Sequence, residues 1–219
     1  MKIIPTLYIQ NGKVVSLYKG KENEQKKTYK KAAKSYATLF QSQGAKRIFI
    51  VDLDGDQAER LTEIRDSFDG ELWWAGQVRS LESIQDLLER GADRIVLGAS
   101  AQNIYDEALT TYGPEKLIIG FKITQREKGP DICEELSDSG FTDILIKDVN
   151  AEGTLFIPSF DLYEKCVYFS GLNVYSSGGV SDMDHLKLMS RSGVKGVMVS
   201  RAILEHQLSL EEALIHFPS

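Results

Sequence analysis

The chain is poor in the residues that staple small secreted folds or build metal centres: 219 residues include two cysteines, five prolines and three histidines. Cys133 and Cys166 fall inside helical patterns with no partner at metal-ligand or redox spacing. They read as buried small hydrophobes in a reducing compartment, or as the ends of one long-range disulfide. No apolar run reaches about 18 residues and no export segment opens the chain, so neither a membrane partner nor secretion is expected and the chain reads as cytoplasmic. An excess of basic charge is also missing. With 32 acidic against 26 basic residues and a net charge of -6, a nucleic-acid surface is excluded as an expectation. The single basic run, Lys26 to Lys34, alternates with Tyr29, Ala32 and Ala33 and reads as the solvated face of a helix. His185, His206 and His216 lie in late helical patterns and read as surface or packing residues.

What the chain does have is a regular alternation of short apolar strands and amphipathic helices. Ile3 to Ile9 opens it, followed by the turn dipeptide Asn11-Gly12, an extended piece from Lys13 to Tyr18 and a polar loop over 19–23. A helix is expected over 28–43, ended by Gly44. Strands then follow over 47–51, 71–74, 94–97, 116–121, 143–146, 172–175 and 196–199. Helices are expected over 57–67, 81–89, 101–112, 131–138, 160–169, 182–191 and 201–217, with Ser181/Asp184 and Ser209/Glu212 as capping pairs. Eight strand–helix units in one domain over 1–219 predict a TIM (β/α)8 barrel.

The pattern also repeats within itself. Ala75-Gly76-Gln77-Val78-Arg79-Ser80 lies 102 residues before Ser177-Gly178-Gly179-Val180-Ser181-Asp182, and Arg94 to Ala99 lies 102 residues before Gly196 to Arg201. One shared offset for two strand-end motifs implies two related half-barrels, each with a pair of small-residue loops. A strand that stops in Ser-Gly-Gly and restarts as a helix leaves a row of backbone N–H groups suited to a phosphate. The expected ligand is therefore a phosphorylated small molecule. Gly76, Arg79, Gly98 and Ala99 are the candidate contacts at one end, and Ser177, Gly178, Gly179, Ser200 and Arg201 at the other.

In a barrel the chemistry sits at the carboxyl ends of the strands, which gathers Tyr8, Asp52, Gln77, Gly98, Lys122, Lys147, Ser177 and Ser200 around one mouth. Asp52 and Asp54 either orient a ligand or cap the following helix. Lys122 and Lys147 have three readings: added positive charge for an anionic ligand, ion pairs with Asp148 and Glu152, or a nucleophilic Schiff-base amine favoured by two neighbouring cations. Tyr8 fills the mouth, or acts as an acid if its hydroxyl is strongly perturbed. Of Trp73 and Trp74, adjacent on one strand, one should face the barrel interior and the other the helix layer.

Several stretches, taken together, resemble the histidine-biosynthesis barrels, and the isomerase (HisA) type more than the cyclase (HisF) type. They are Ile4-Pro5-Thr6-Leu7-Tyr8-Ile9, Asn11 to Val15, Val51-Asp52-Leu53-Asp54-Gly55, Gly76 to Ser80, Ile95 to Gly98, Glu152-Gly153-Thr154-Leu155, Ser177 to Val180 and Val197 to Ala202. The resemblance implies an Amadori rearrangement of a phosphoribosyl aminoimidazole precursor with a phosphate at each end, without metal or cofactor. It also implies a carboxylate at the ends of strands one and five as acid and base. Here those positions hold Tyr8 and Lys122, and Lys147 stands on strand six where the family often has Thr. Ala75 and Gln77 replace glycines of the first phosphate loop, and Ser200 replaces a small residue of the second. Three expectations follow: a HisA-like aldose–ketose isomerase, a non-catalytic phosphosugar-binding paralogue, or a Schiff-base phosphosugar lyase using Lys122 or Lys147. A monomer is expected, with a homodimer as the alternative.

Overall fold

The structure is a computed structural model and describes residues 1–20 and 26–218. Its strands form one sheet of β1 (Lys2–Gln10), β2 (Lys13–Ser16), β3 (Lys27–Thr28), β4 (Arg47–Asp52), β5 (Glu71–Ala75), β6 (Arg94–Leu97), β7 (Leu117–Ile123), β8 (Asp143–Asp148), β9 (Asn173–Ser177) and β10 (Gly196–Val199). β1 and β4 through β10 run parallel, each beside the next, and β10 pairs back onto β1 with Ile3 opposite Val197. The sheet is thus closed into an eight-stranded parallel barrel. Around it run α1 (Ala33–Ser42), α2 (Ala58–Arg65), α3 (Leu81–Glu89), α4 (Tyr105–Tyr112), α5 (Gly129–Glu135), α6 (Phe160–Ser170), α7 (Met183–Arg191), α8 (Arg201–Leu204) and α9 (Leu210–His216). This is the TIM (β/α)8 barrel that the strand–helix alternation predicts.

Side chains that alternate along a strand point to opposite faces, and here the two faces fill different cores. Each barrel strand gives one residue to the interior layer: Ile4, Phe49, Trp73, Val96, Ile118, Leu145, Tyr175 and Met198. The Trp73 and Tyr175 rings meet edge to face at 5.0 Å, a favoured aromatic geometry. Trp74, one residue on, packs in the outer layer between strands and helices. At the amino ends of the strands, Arg94 pairs with Asp143 at 3.1 Å and lies over the Trp73 ring, closing the floor. The half-barrel offset is also kept in three dimensions: α3 and α7 start and end 102 residues apart, and so do β6 and β10.

Four local expectations are corrected. The helix expected from 28 begins at Ala33, because Thr28 pairs with Val15 in an antiparallel strand added outside the barrel. The basic run therefore passes through a short strand and a bend, with only its end on α1. The helix expected over 201–217 is two helices, broken where His206 takes a φ of 58°. The cap of α7 is Asp182, whose carboxylate accepts from the His185 N–H at 2.9 Å, while Ser181 bonds to Asp182 instead. Ser209 does accept from the Glu212 N–H, as its spacing predicts. The two thiols are free and buried. The polar loop expected over 19–23 lies mostly outside the described residues.

Candidate active site at the carboxyl ends of the strands

The interior alternation carries on from the core layer into the mouth. Beyond Ile4 the inward positions of β1 are Thr6 and Tyr8; beyond Leu145 on β8 comes Lys147; beyond Tyr175 on β9 comes Ser177. These residues converge with the loop after β8. Lys147 Nζ stands 2.6 Å from Glu152 Oε1, with the two side chains only 14% and 7% exposed. The same ammonium lies 4.5 Å from the centre of the Tyr8 ring, within cation–π range. Burial, and then the neighbouring Glu152 carboxylate, push the Tyr8 hydroxyl well above the ordinary tyrosine range, against a smaller opposing effect of Ser177. The phenol stays protonated at neutral pH and offers a hydrogen bond, not a base.

A cavity of about 40 Å³ opens beside this group, lined by Tyr8 and Glu152, by Ser177, Gly178 and Gly179, and by Ser200 and Arg201. It has space for roughly three waters, so for a phosphate group more than for a whole sugar. Gly178 and Gly179 have φ of 114° and 87°. An added Cβ would come within 2.8 Å of the Asp148 carbonyl oxygen at the first and 2.9 Å of Pro158 Cα at the second. Only glycine fits both demands. Among the described residues the Gly178 and Gly179 N–H groups have no backbone partner.

Arg201 lines this cavity but is already engaged. Its Nη1 donates to the Gly153 carbonyl at 2.6 Å and its Nε to Glu205 at 2.8 Å. Glu205 also pairs with Lys27 and accepts from Tyr29. The segment after β2 adds a wall, since the Lys19 N–H donates to the Glu152 carbonyl at 2.8 Å and Leu17 lines the cavity. The stretches around residues 17–19, 27–29, 152–153 and 201–205 are thereby tied together, with Glu152 and Arg201 among them.

The other candidates lie apart from the cavity. Lys122 faces Lys147 in register across β7 and β8 but is exposed, and its ammonium has no ion pair among the described residues. Asp148, read from sequence as a lysine partner, is fully buried and instead accepts from Arg126 at 2.8 Å and from Ser159. It follows Lys147 on the strand, so it points to the helix layer. Asp52 has the same outward register; it accepts from the N–H groups of Asp54, Gly55 and Gln57, and burial raises its pKa against those donors. Asp54 accepts from the Asn11 N–H. Both carboxylates thus have loop backbone as partners.

At the first loop pair, Gly76 has a φ of 137° and approaches Asp52 so closely that a Cβ would lie 2.1 Å from its carbonyl oxygen. Gln77 takes a φ of 52° and its amide oxygen accepts from Arg79 at 2.6 Å. The Gly98 carbonyl accepts from Tyr105, and Ala99 is exposed. Glu152 was legible in sequence only as a possible lysine partner and as part of Glu-Gly-Thr-Leu. What makes it the carboxylate of the cavity is the loop after β8 folding back over the strand ends.

Over residues 2–209 the sequence matches the histidine biosynthesis protein family. The chain belongs to that family. Two curated relatives carry the name of the isomerase of 1-(5-phosphoribosyl)-5-((5-phosphoribosylamino)methylideneamino)imidazole-4-carboxamide. That of Lactococcus lactis subsp. lactis (strain IL1403) is 32% identical over 234 residues, covering 97% of this chain and 98% of the relative. That of Francisella philomiragia subsp. philomiragia is 31% identical over 244 residues, covering 98% and 99%. These alignments are longer than the chain itself, so the relatives carry stretches that this family member lacks.

Proposed function

We propose that this chain is an aldose–ketose isomerase of the kind its relatives are named for, acting on a phosphorylated aminoaldose through Glu152. The observation that carries this reading is one cavity that joins the Ser177-Gly178-Gly179 turn to a buried carboxylate. A phosphate seated on that turn and on Ser200 and Arg201 would direct the sugar carbon chain toward Glu152. An Amadori rearrangement needs a proton delivered to the ring oxygen and another removed beside the iminium. Glu152 lines the cavity and can exchange protons with Lys147 at 2.6 Å, so one carboxylate and one ammonium divide the work that the family gives to two carboxylates. Tyr8, protonated, supplies a hydrogen bond to a substrate hydroxyl.

The test is turnover of the relatives' substrate together with its effect on the melting temperature, since a ligand of the native state raises it. Turnover that Glu152→Gln lowers by about 10²-fold or more supports the reading; turnover unchanged in that variant refutes it. A second reading, a phosphosugar-binding protein without catalysis, is favoured by Tyr8 and Lys122 standing at the two positions where the resemblance implies carboxylates. Stabilisation by the substrate without any turnover would select it.

A further inference from the structure

Lys147 has an environment that a charge-neutralising surface lysine does not need. Its side chain is nearly buried, its Nζ is 2.6 Å from a buried carboxylate and 4.5 Å from a buried tyrosine ring, and a second lysine sits opposite it in register on the next strand. Glu152 and Tyr8 both line the phosphate-sized cavity, and Lys147 stands behind them without lining it, so a sugar whose phosphate fills the cavity would extend its carbonyl carbon out past these two side chains toward the Lys147 amine. We propose that Lys147 is a Schiff-base lysine for a phosphorylated aldose or ketose that has a free carbonyl group and no amino group of its own.

The step balances with the groups present. Glu152 takes a proton from the Lys147 ammonium, and the freed amine adds to the carbonyl carbon as the C–O π bond opens onto oxygen. The carbinolamine then loses its oxygen as water, which carries away two of the three ammonium protons, and the C=N iminium remains. No oxidant or reductant takes part. In the isomerisation proposed above the nitrogen that becomes the iminium belongs to the substrate; here the protein supplies it, and the same carboxylate can move the proton on the adjacent carbon. This inference therefore stands apart from turnover of the relatives' substrate, which brings its own nitrogen. Lys122 is the lesser candidate, because it is exposed and, among the described residues, has no carboxylate paired with its ammonium.

The experiment is borohydride reduction of the full chain with dihydroxyacetone phosphate, glyceraldehyde 3-phosphate or ribose 5-phosphate, followed by tryptic mass mapping. A reduced adduct on Lys147 blocks cleavage there and leaves the peptide 129–165 uncut. Expected is an adduct at Lys147 with at least one of the three, at least tenfold above the mean of the exposed lysines. Unphosphorylated glyceraldehyde should label it less, and excess inorganic phosphate should suppress it. Lys122→Arg should keep the adduct and Lys147→Arg should lose it. An adduct confined to Lys122, labelling of Lys147 no greater than that of the exposed lysines, or no adduct with all three compounds would overturn the proposal. Mapping of the wild-type protein locates the adduct directly, so the test remains decisive even if Lys147→Arg fails to fold.

Discussion

Gly153 is the position where a single methyl group tests how the site is assembled. It follows Glu152, has a φ of 65°, and a Cβ there would lie 2.0 Å from the Leu17 carbonyl oxygen on the segment after β2. Gly171, at the end of α6, has nearly the same φ, 63°, with nothing within 4 Å of the added Cβ. An alanine at either pays the left-handed backbone cost of about 1–2 kcal/mol. Gly153→Ala adds overpacking against backbone, about 1–3 kcal/mol more. For a chain of this size each kcal/mol shifts the melting temperature by roughly 2–4 °C. Gly153→Ala should therefore unfold roughly 2–12 °C below Gly171→Ala in parallel thermal denaturation followed by circular dichroism. The loop that must move carries Glu152 on one side and the carbonyl that holds Arg201 on the other, so stabilisation by added phosphate should shrink in Gly153→Ala and not in Gly171→Ala. Equal melting temperatures for the two variants would refute the claim that the β8–α6 loop and the Leu17 segment are locked together.

Two further outcomes concern the scaffold. Burial alone would raise the Asp143 pKa, but Arg94 and Thr142 more than offset it, and the net shift is downward. Its contribution is complete above the unfolded carboxylate pKa of about 3.9 and is lost as pH falls through the lower folded value. Asp143→Ala removes the carboxylate from Arg94 while its bonds to the Pro114, Glu115 and Leu117 carbonyls remain; it should cost about 2 kcal/mol at neutral pH, and its stability should fall less than that of the wild type on acidification; parallel pH–denaturation curves would count against this account. Asp182→Ala removes the side-chain cap of α7 and should cost about 1 kcal/mol, measured by urea unfolding, whereas Ser181→Ala should cost less; the reverse order would return the cap to Ser181.

The periodicities of the chain fixed the architecture because they are local. Alternation in β4 to β10 and helical spacing in α3 and α7 are set by which face of each element can be buried, and the barrel follows from eight such units in series. The 102-residue echo was legible for the same reason, since equal loops and caps leave equal short signatures. Where a distant partner decided the outcome, local spacing misled. Thr28 lies in a stretch with helical spacing, yet Val15 claims it for a strand. No glycine or proline marks the break at His206.

The candidate site divides along the same line. The glycines at 178 and 179 could be read from sequence as a phosphate turn, because a positive φ leaves few other choices of residue. That Lys147 points inward and Asp148 outward follows from the period of two, once the strand is placed. Which carboxylate meets that lysine was decided only in three dimensions. Glu152 sits on a loop whose course depends on Lys19, Leu17 and Arg201, from segments far away in sequence. Sequence determined the barrel and the residue types at its mouth, through short-range sterics and burial; tertiary closure decided which of them meet, because ion pairs across a mouth depend on loop paths that no local pattern encodes.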